Sequence, residues 1–179
     1  MVIKNKSKFI EYFSNGIKKP DGLKIGVEHE RFLFDGQKKK RISNQKIKKL
    51  FENLKVNGWQ PIFEKENIVG MQRNDQQITT EPGLQCELSG APLKNIHQVC
   101  NESSKFLEEI ESASKGLNIN TVSVGFDPFN SLADIPQSPK VRYKIMTKEM
   151  PKEGKQSLEM MYRTCGIQIN YDYTSESNF

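Results

Sequence analysis

The sequence predicts an α+β fold: an antiparallel β-sheet with helices packed on one face and an open polar face on the other. Three observations carry this expectation. Segments 23–34, 84–89 and 163–173 alternate side chains with period two, each placing oxygen- or nitrogen-bearing groups on one face. Segments 7–18, 43–57 and 92–115 repeat apolar residues at helical spacing and are suited to cover the other face. Short turn signals, Asn74-Asp75, Pro82-Gly83 and Ser89-Gly90, join the strands.

The first helix is read over 7–18, with Ser7 as N-cap and Phe9, Ile10, Phe13 and Ile17 as its apolar stripe. Lys19-Pro20-Asp21-Gly22 ends it. The strand at 23–34 carries Val27, His29, Arg31 and Leu33 on one face and Glu28, Glu30, Phe32 and Phe34 on the other. Ser43 to Asn57 is a second helix, with Ile47, Leu50, Phe51 and Leu54 inward and Asn57-Gly58 as its stop. Short strands follow at 59–63, 67–73 and 76–80.

The central stretch, Ile78 to Leu93, reads as strand, turn, strand, turn and helix start. In it Gln85, Glu87 and Ser89 share one face, and Leu84, Cys86 and Leu88 the other. A long helix runs from about Pro92 to Lys115, with Leu93, Ile96, Val99, Cys100, Phe106, Leu107 and Ile110 inward and His97 near the edge. After a strand at 120–127 and a Pro- and Ser-rich loop, 140–150 and 155–162 read as helices. The last strand, 163–173, places Gln168, Asn170 and Asp172 on one face and Ile167, Ile169 and Tyr171 on the other.

Composition narrows the function classes. The 179 residues are 35% hydrophobic, enough for a single domain with a core. No run of about 18 apolar residues predicts a membrane span. The N-terminus lacks the apolar stretch and cleavage site of a secretory signal, so the expected compartment is cytoplasmic. Cys86, Cys100 and Cys165 form no CxxC pair and read as buried or partly buried thiols. The net charge of +5 raises nucleic-acid binding. The surplus is mostly Lys, however, and the cluster Lys38-Lys39-Lys40-Arg41 follows an Asp-Gly turn, so it reads as a solvated loop tip. No P-loop, GxGxxG, GxSxG or HExxH motif is present.

The acidic residues point to chemistry. Glu28 and Glu30 sit two apart on one strand face, roughly 7 Å from each other, where like charges repel. A divalent cation would reverse that cost, since Mg²⁺ takes carboxylate oxygens and substrate phosphates. Glu87 and Glu81 extend the oxygen-rich surface. The plainer reading of each is a carboxylate facing water.

The order of motifs resembles a known family. IGVEHERFLF from Ile25, ITTEPGLQCELSGAPLKNIHQVC from Ile78, VGFDP, DIPQSPKVRYKIM, MPKEG and LEMMYRTCGIQINYDY together look like glutamate–cysteine ligase of the plant and proteobacterial type. The resemblance covers the chain from about Ile25 to its end. It implies a glutamine-synthetase-like fold whose antiparallel sheet holds Mg²⁺, ATP and L-glutamate. The implied reaction is ligation of the glutamate γ-carboxylate to L-cysteine through γ-glutamyl phosphate, the first step of glutathione biosynthesis. Mg²⁺ is the implied cofactor, and neither nucleic acid nor membrane is an expected partner.

Carried over by position, Glu28, Glu30 and Glu87 are candidate metal ligands. Glu81, Glu87, Gln168 and Asn170 are candidate substrate or ATP contacts, with Glu81 and Glu87 serving either as further ligands or on the substrate amino group. Arg142 and Arg163 are candidate clamps for phosphate or carboxylate. Arg163 is equally readable as half of a structural salt bridge. Family members are much longer, so residues 1–179 are expected to be the N-terminal part of one catalytic domain, inactive alone, with an incompletely covered sheet. Three alternatives stay open: another carboxylate–amine ligase of the same fold, a basic nucleic-acid- or protein-binding module, and a non-catalytic remnant that holds nucleotide but has lost chemistry.

Overall fold

One long strand, β1 (Ile25–Asp35), organises the computed structural model of the chain, which describes residues 5–36 and 39–179. Around it lie β2 (Gln60–Glu64), β3 (Asn67–Arg73), β4 (Gln76–Thr80), β5 (Cys86–Ser89), β6 (Ile119–Val122) and β7 (Ile167–Tyr171). The sheet runs β2-β3-β4-β5-β1-β6, with β7 also paired to β1, and these strand pairings are all antiparallel. Residues 28–29 of β1 pair with both β5 and β7, so these two flank it on opposite edges.

The helical layer is α2 (Asn44–Leu54) and α3 (Ile96–Ser114). Ser43 and Asn95 cap them, each accepting a backbone N–H with its side chain. Ile47, Leu50, Phe51 and Leu54 of α2, with Phe106 and Ile110 of α3, pack on Leu33, Met71, Ile78, Cys86 and Leu88 of the sheet. This is the apolar face that alternation assigned to 84–89. Trp59 joins the core and donates to the buried Glu109 carboxylate at 2.8 Å, while Arg73 meets its other oxygen at 2.8 Å. That paired carboxylate lies on the α3 face that the apolar pattern alone had marked out.

Several expectations change. The stripe of the first helix (α1, Lys6–Ser14) does not cover the sheet: Phe9, Ile10, Phe13 and Ile17 are exposed, and the cleft beside them is lined by Tyr173 and Phe179. Pro92 does not open α3. Leu93 instead exchanges two 2.8 Å backbone bonds with Ile25, an extra bridge that delays the helix to Ile96 and leaves Ile96 and Cys100 exposed. Of the other thiols, Cys86 is buried and Cys165 half-buried.

The basic cluster also divides. Arg41 is not on a solvated tip; it pairs with Asp127 at 3.4 Å with both side chains fully buried, and its guanidinium lies 4.4 Å from the Phe32 ring centroid. Lys39 lies over Phe129 at 5.2 Å, Lys40 is exposed, and Lys38 falls outside the described residues. The strand at 120–127 stops at Val122, and Arg163 ends helix α5 (Ser157–Arg163) instead of starting a strand. Helix α4 (Val141–Glu149) follows the Pro-rich loop as expected. No helix among the described residues is long and apolar enough to cross a membrane.

Candidate active site

Register decides what the alternating strands bring together. Glu30 of β1 lies directly opposite Glu87 of β5, and Glu87 in turn opposite Thr79 of β4. Glu28 lies opposite Ser89 on one side and Gln168 on the other. Like charges directly across a sheet are destabilising, so the Glu30–Glu87 pair is a cost unless something cationic joins them.

The turn after β4 adds a third carboxylate. Pro82-Gly83 turns the chain, and Leu84 takes a left-handed φ of 61°. A Cβ on Gly83 would approach the Tyr162 carbonyl to 2.7 Å, so only glycine lets this turn pack against α5. The Gln85 side chain completes the anchor, accepting the Gly83 N–H at 2.8 Å and donating to the Met161 and Thr164 carbonyls at 3.0 and 2.9 Å. Gln85 therefore holds the turn and, although on the polar face, is buried.

With the turn fixed, one carboxylate oxygen each from Glu30, Glu81 and Glu87 lies within 4.8 Å of the others. All three residues are half-buried. Glu30 also accepts the Gly166 N–H at 2.7 Å, and Glu87 accepts the Ser89 hydroxyl at 2.8 Å. Burial raises the Glu87 carboxyl above its ordinary range, and Glu81 raises it further. Burial likewise raises Glu30, against the opposing Gly166 bond.

These groups form one wall of an open pocket of about 600 Å³, whose lining includes Glu28, Glu64, Thr79, Lys140, Arg142 and Gln168. The cationic side comes from the start of α4. Arg142 pairs with Glu81 at 3.3 Å and hydrogen-bonds the Tyr143 hydroxyl; that hydroxyl donates to Glu81 at 2.8 Å. Burial, then the Glu81 charge, raise the Tyr143 phenol, keeping it a donor. The Glu64 carboxylate accepts the Val141 N–H at 2.9 Å and ties the start of α4 to β2.

The candidates named from sequence are placed unequally. Glu28 lines the pocket outside the carboxylate triad and accepts from Asn170 at 3.2 Å. Gln168 lines the pocket and donates to Asn170 at 3.3 Å. Arg163 does not line it: its guanidinium bonds Glu159 at 2.7 Å and the Asp127 carbonyl at 3.0 Å and lies over Phe126 at 4.3 Å. Thr79, Glu64, Tyr143 and Lys140 were not identified. Alternation in β4 is a signal that could have found Thr79; nothing local marks the other three.

A sheet that covers one face with helices and presents clustered carboxylates and a cationic rim on the other defines a class: an open-sheet α+β domain with an acidic pocket rimmed by basic groups. The comparisons narrow this to a family. Residues 24–178 match the sequence profile of "Glutamate-cysteine ligase family 2(GCS2)", and the chain belongs to that family. It is 38% identical over 174 residues to the chloroplastic glutamate–cysteine ligase of Medicago truncatula, covering 97% of this chain and 34% of that protein. The chloroplastic glutamate–cysteine ligase A of Oryza sativa subsp. japonica is also 38% identical, with 97% and 35% covered. The Arabidopsis thaliana chloroplastic enzyme is 38% identical over 170 residues, with 94% and 33% covered. The chain thus spans about a third of the length of these curated relatives.

Proposed function

We propose that this chain carries the metal- and oxyanion-binding part of an ATP-dependent glutamate–cysteine ligase site, on the first part of a glutamine-synthetase-like catalytic domain. The observation that carries the reading is the convergence of Glu30, Glu81 and Glu87 within 4.8 Å, two of them as a like-charged cross-strand pair. The donor set fits Mg²⁺, a hard cation that takes carboxylate oxygens and completes its shell with water and phosphate. It fits zinc poorly, since no His or Cys belongs to the cluster. Bound there, the cation would neutralise charge on transferring phosphoryl oxygens.

In the proposed reaction the γ-carboxylate of L-glutamate attacks the terminal phosphorus of ATP, and the bond to ADP breaks. The amine of L-cysteine then attacks the acyl carbon of γ-glutamyl phosphate, loses a proton, and inorganic phosphate leaves. Such transfers depend on positioning and charge more than on a protein nucleophile. Glu30, Glu81 and Glu87 would hold the cation. Arg142, fixed by Glu81 and Tyr143, points a planar donor group at the pocket, suited to an oxyanion. Gln168 and Glu28 supply polar groups on the side towards β7.

The test is titration of the chain with Mg²⁺, then ATP, then L-glutamate, repeated on Glu30→Gln and Glu81→Gln. The reading expects metal-dependent ligand binding in the parent and at least a tenfold loss in each variant. Equal binding by folded variants refutes it. A panel of amine acceptors on a full-length relative separates this ligase from others of the same fold.

A further inference from the structure

Lys140 precedes α4 and lines the same pocket, yet its residue is only 7% exposed. Its ammonium lies 5.5 Å from the Tyr143 ring centroid. The other deeply buried cation in this part of the fold, Arg41, has Asp127 as its partner. Among the described residues Lys140 has none: it forms no ion pair, and its side chain donates no hydrogen bond. Burial of this cation costs stability, and the attractions of Glu81, Glu87 and Glu64, none of them in ion-pair contact, offset that cost only in part.

The charge balance of the pocket supplies a purpose. Three ionised carboxylates around one divalent cation leave about one negative charge, which repels an incoming phosphate or carboxylate. An anionic ligand therefore needs positive charge from the opposite rim. Arg142 supplies some, but it is already engaged by Glu81 and the Tyr143 hydroxyl. Lys140 has uncommitted donors, and the Glu64 bond to the Val141 N–H anchors the neighbouring backbone.

We propose that Lys140 is an anion-receiving residue of this pocket, binding, alongside Arg142, an oxyanion of the phosphoryl or carboxylate class beside the carboxylate-held cation. The assignment deepens the ligase reading above and rests on it for the identity of the ligand. Burial and the Arg142 charge lower the Lys140 ammonium to about 8, against pulls from Glu81, Glu87 and Glu64.

The experiment uses the 179-residue chain and its Lys140→Met and Lys140→Arg variants. Mg²⁺ alone, inorganic phosphate with Mg²⁺, ATP with Mg²⁺, and L-glutamate with Mg²⁺ are titrated separately, and melting temperatures are recorded without ligand. Lys140→Met is expected to bind Mg²⁺ as tightly as the parent, to melt no lower, and to bind the oxyanion ligand at least tenfold more weakly. Lys140→Arg is expected to recover most of that loss. Whether the ATP arm or the glutamate arm weakens identifies the source of the oxyanion.

If ATP and glutamate bind the parent and Lys140→Met alike, the assignment is overturned while the ligase reading stands. If phosphate binding depends on Lys140 but neither ATP nor glutamate binds, the ligase reading fails while the assignment survives. Absence of all oxyanion binding overturns both. A lower melting temperature in Lys140→Met, with Lys140→Arg failing to restore binding, marks a structural lysine and overturns the assignment.

Discussion

Replacing Glu87 by Gln tests whether the carboxylate cluster is a stored electrostatic cost that a cation relieves. Glu87 lies within 4.8 Å of both Glu30 and Glu81. At that 4.8 Å limit each like-charged pair costs about 3 kcal/mol at an effective dielectric of ~20 and just under about 1 kcal/mol in bulk water. The half-buried cluster falls between these limits and is partly screened. Removing Glu87 removes two of the three pairs, so it should stabilise the metal-free chain at neutral pH by about 2 kcal/mol or more. For a chain of this size, each kcal/mol raises the melting temperature by about 2–4 °C. The replacement amide oxygen keeps the bond from the Ser89 hydroxyl, so little packing is lost.

The pH dependence has a definite sign. Glu87 and Glu30 have raised carboxyl pKa values in the fold, so the native state binds more protons than the unfolded chain just above pH 4.5, their ordinary value. Stability from these groups is therefore fully present below that pH and is lost as pH rises through their native values. The advantage of Glu87→Gln should be near zero at pH 4.5 and largest at pH 7.5. Mg²⁺ at neutral pH should stabilise the parent, because it binds the native state alone, and should stabilise the variant much less. Urea unfolding at both pH values, with Mg²⁺ or a chelator, reads all four quantities. A Glu87→Gln variant that is less stable than its parent in chelator at pH 7.5, or that keeps the full Mg²⁺ response, refutes the reasoning.

Three further outcomes follow from other parts of the fold. Lys140 titrates at about 8 when folded and near 10.5 when unfolded, so its penalty is full below pH 8 and disappears as pH rises past 10.5. Lys140→Met should accordingly gain up to about 3 kcal/mol at pH 7 and progressively less by pH 9.5, by urea unfolding at each pH. Asp127→Ala should cost about 3–5 kcal/mol, since it strands the buried Arg41 guanidinium, and the paired Arg41→Met, Asp127→Ala double variant should recover part of that loss. Strand β7 exposes Ile167, Ile169 and Tyr171 along a sheet edge, so the chain should associate as its concentration rises; Ile169→Lys should reduce this in sedimentation velocity.

Local patterns were legible wherever a neighbour in sequence is also a neighbour in space. Period-two alternation assigned Glu28 and Glu30 to one face of β1 and Cys86 and Leu88 to the buried face of β5. Helical periodicity gave the inward face of α2 residue by residue. The same method failed on α1, because an apolar stripe records the capacity to be buried and does not say what arrives to bury it. It failed on Arg41 too: a basic run after a turn looks solvated until Asp127, 86 positions away, closes over its last member.

The sequence by itself determined the class of fold, the polar and apolar faces of the strands, and the family through its run of motifs. Tertiary structure alone decided the geometry of the candidate site. It placed Glu30 opposite Glu87, brought Glu81 beside both, left Glu28 outside the triad, turned Arg163 into a structural tie, and set Lys140 against the pocket without an ion-pair partner among the described residues. The physical reason is that alternation states only which side of a strand a residue takes. Which carboxylates meet depends on strand register and on a turn held by Gln85 and Gly83, and both are settled by contacts between segments far apart in the chain.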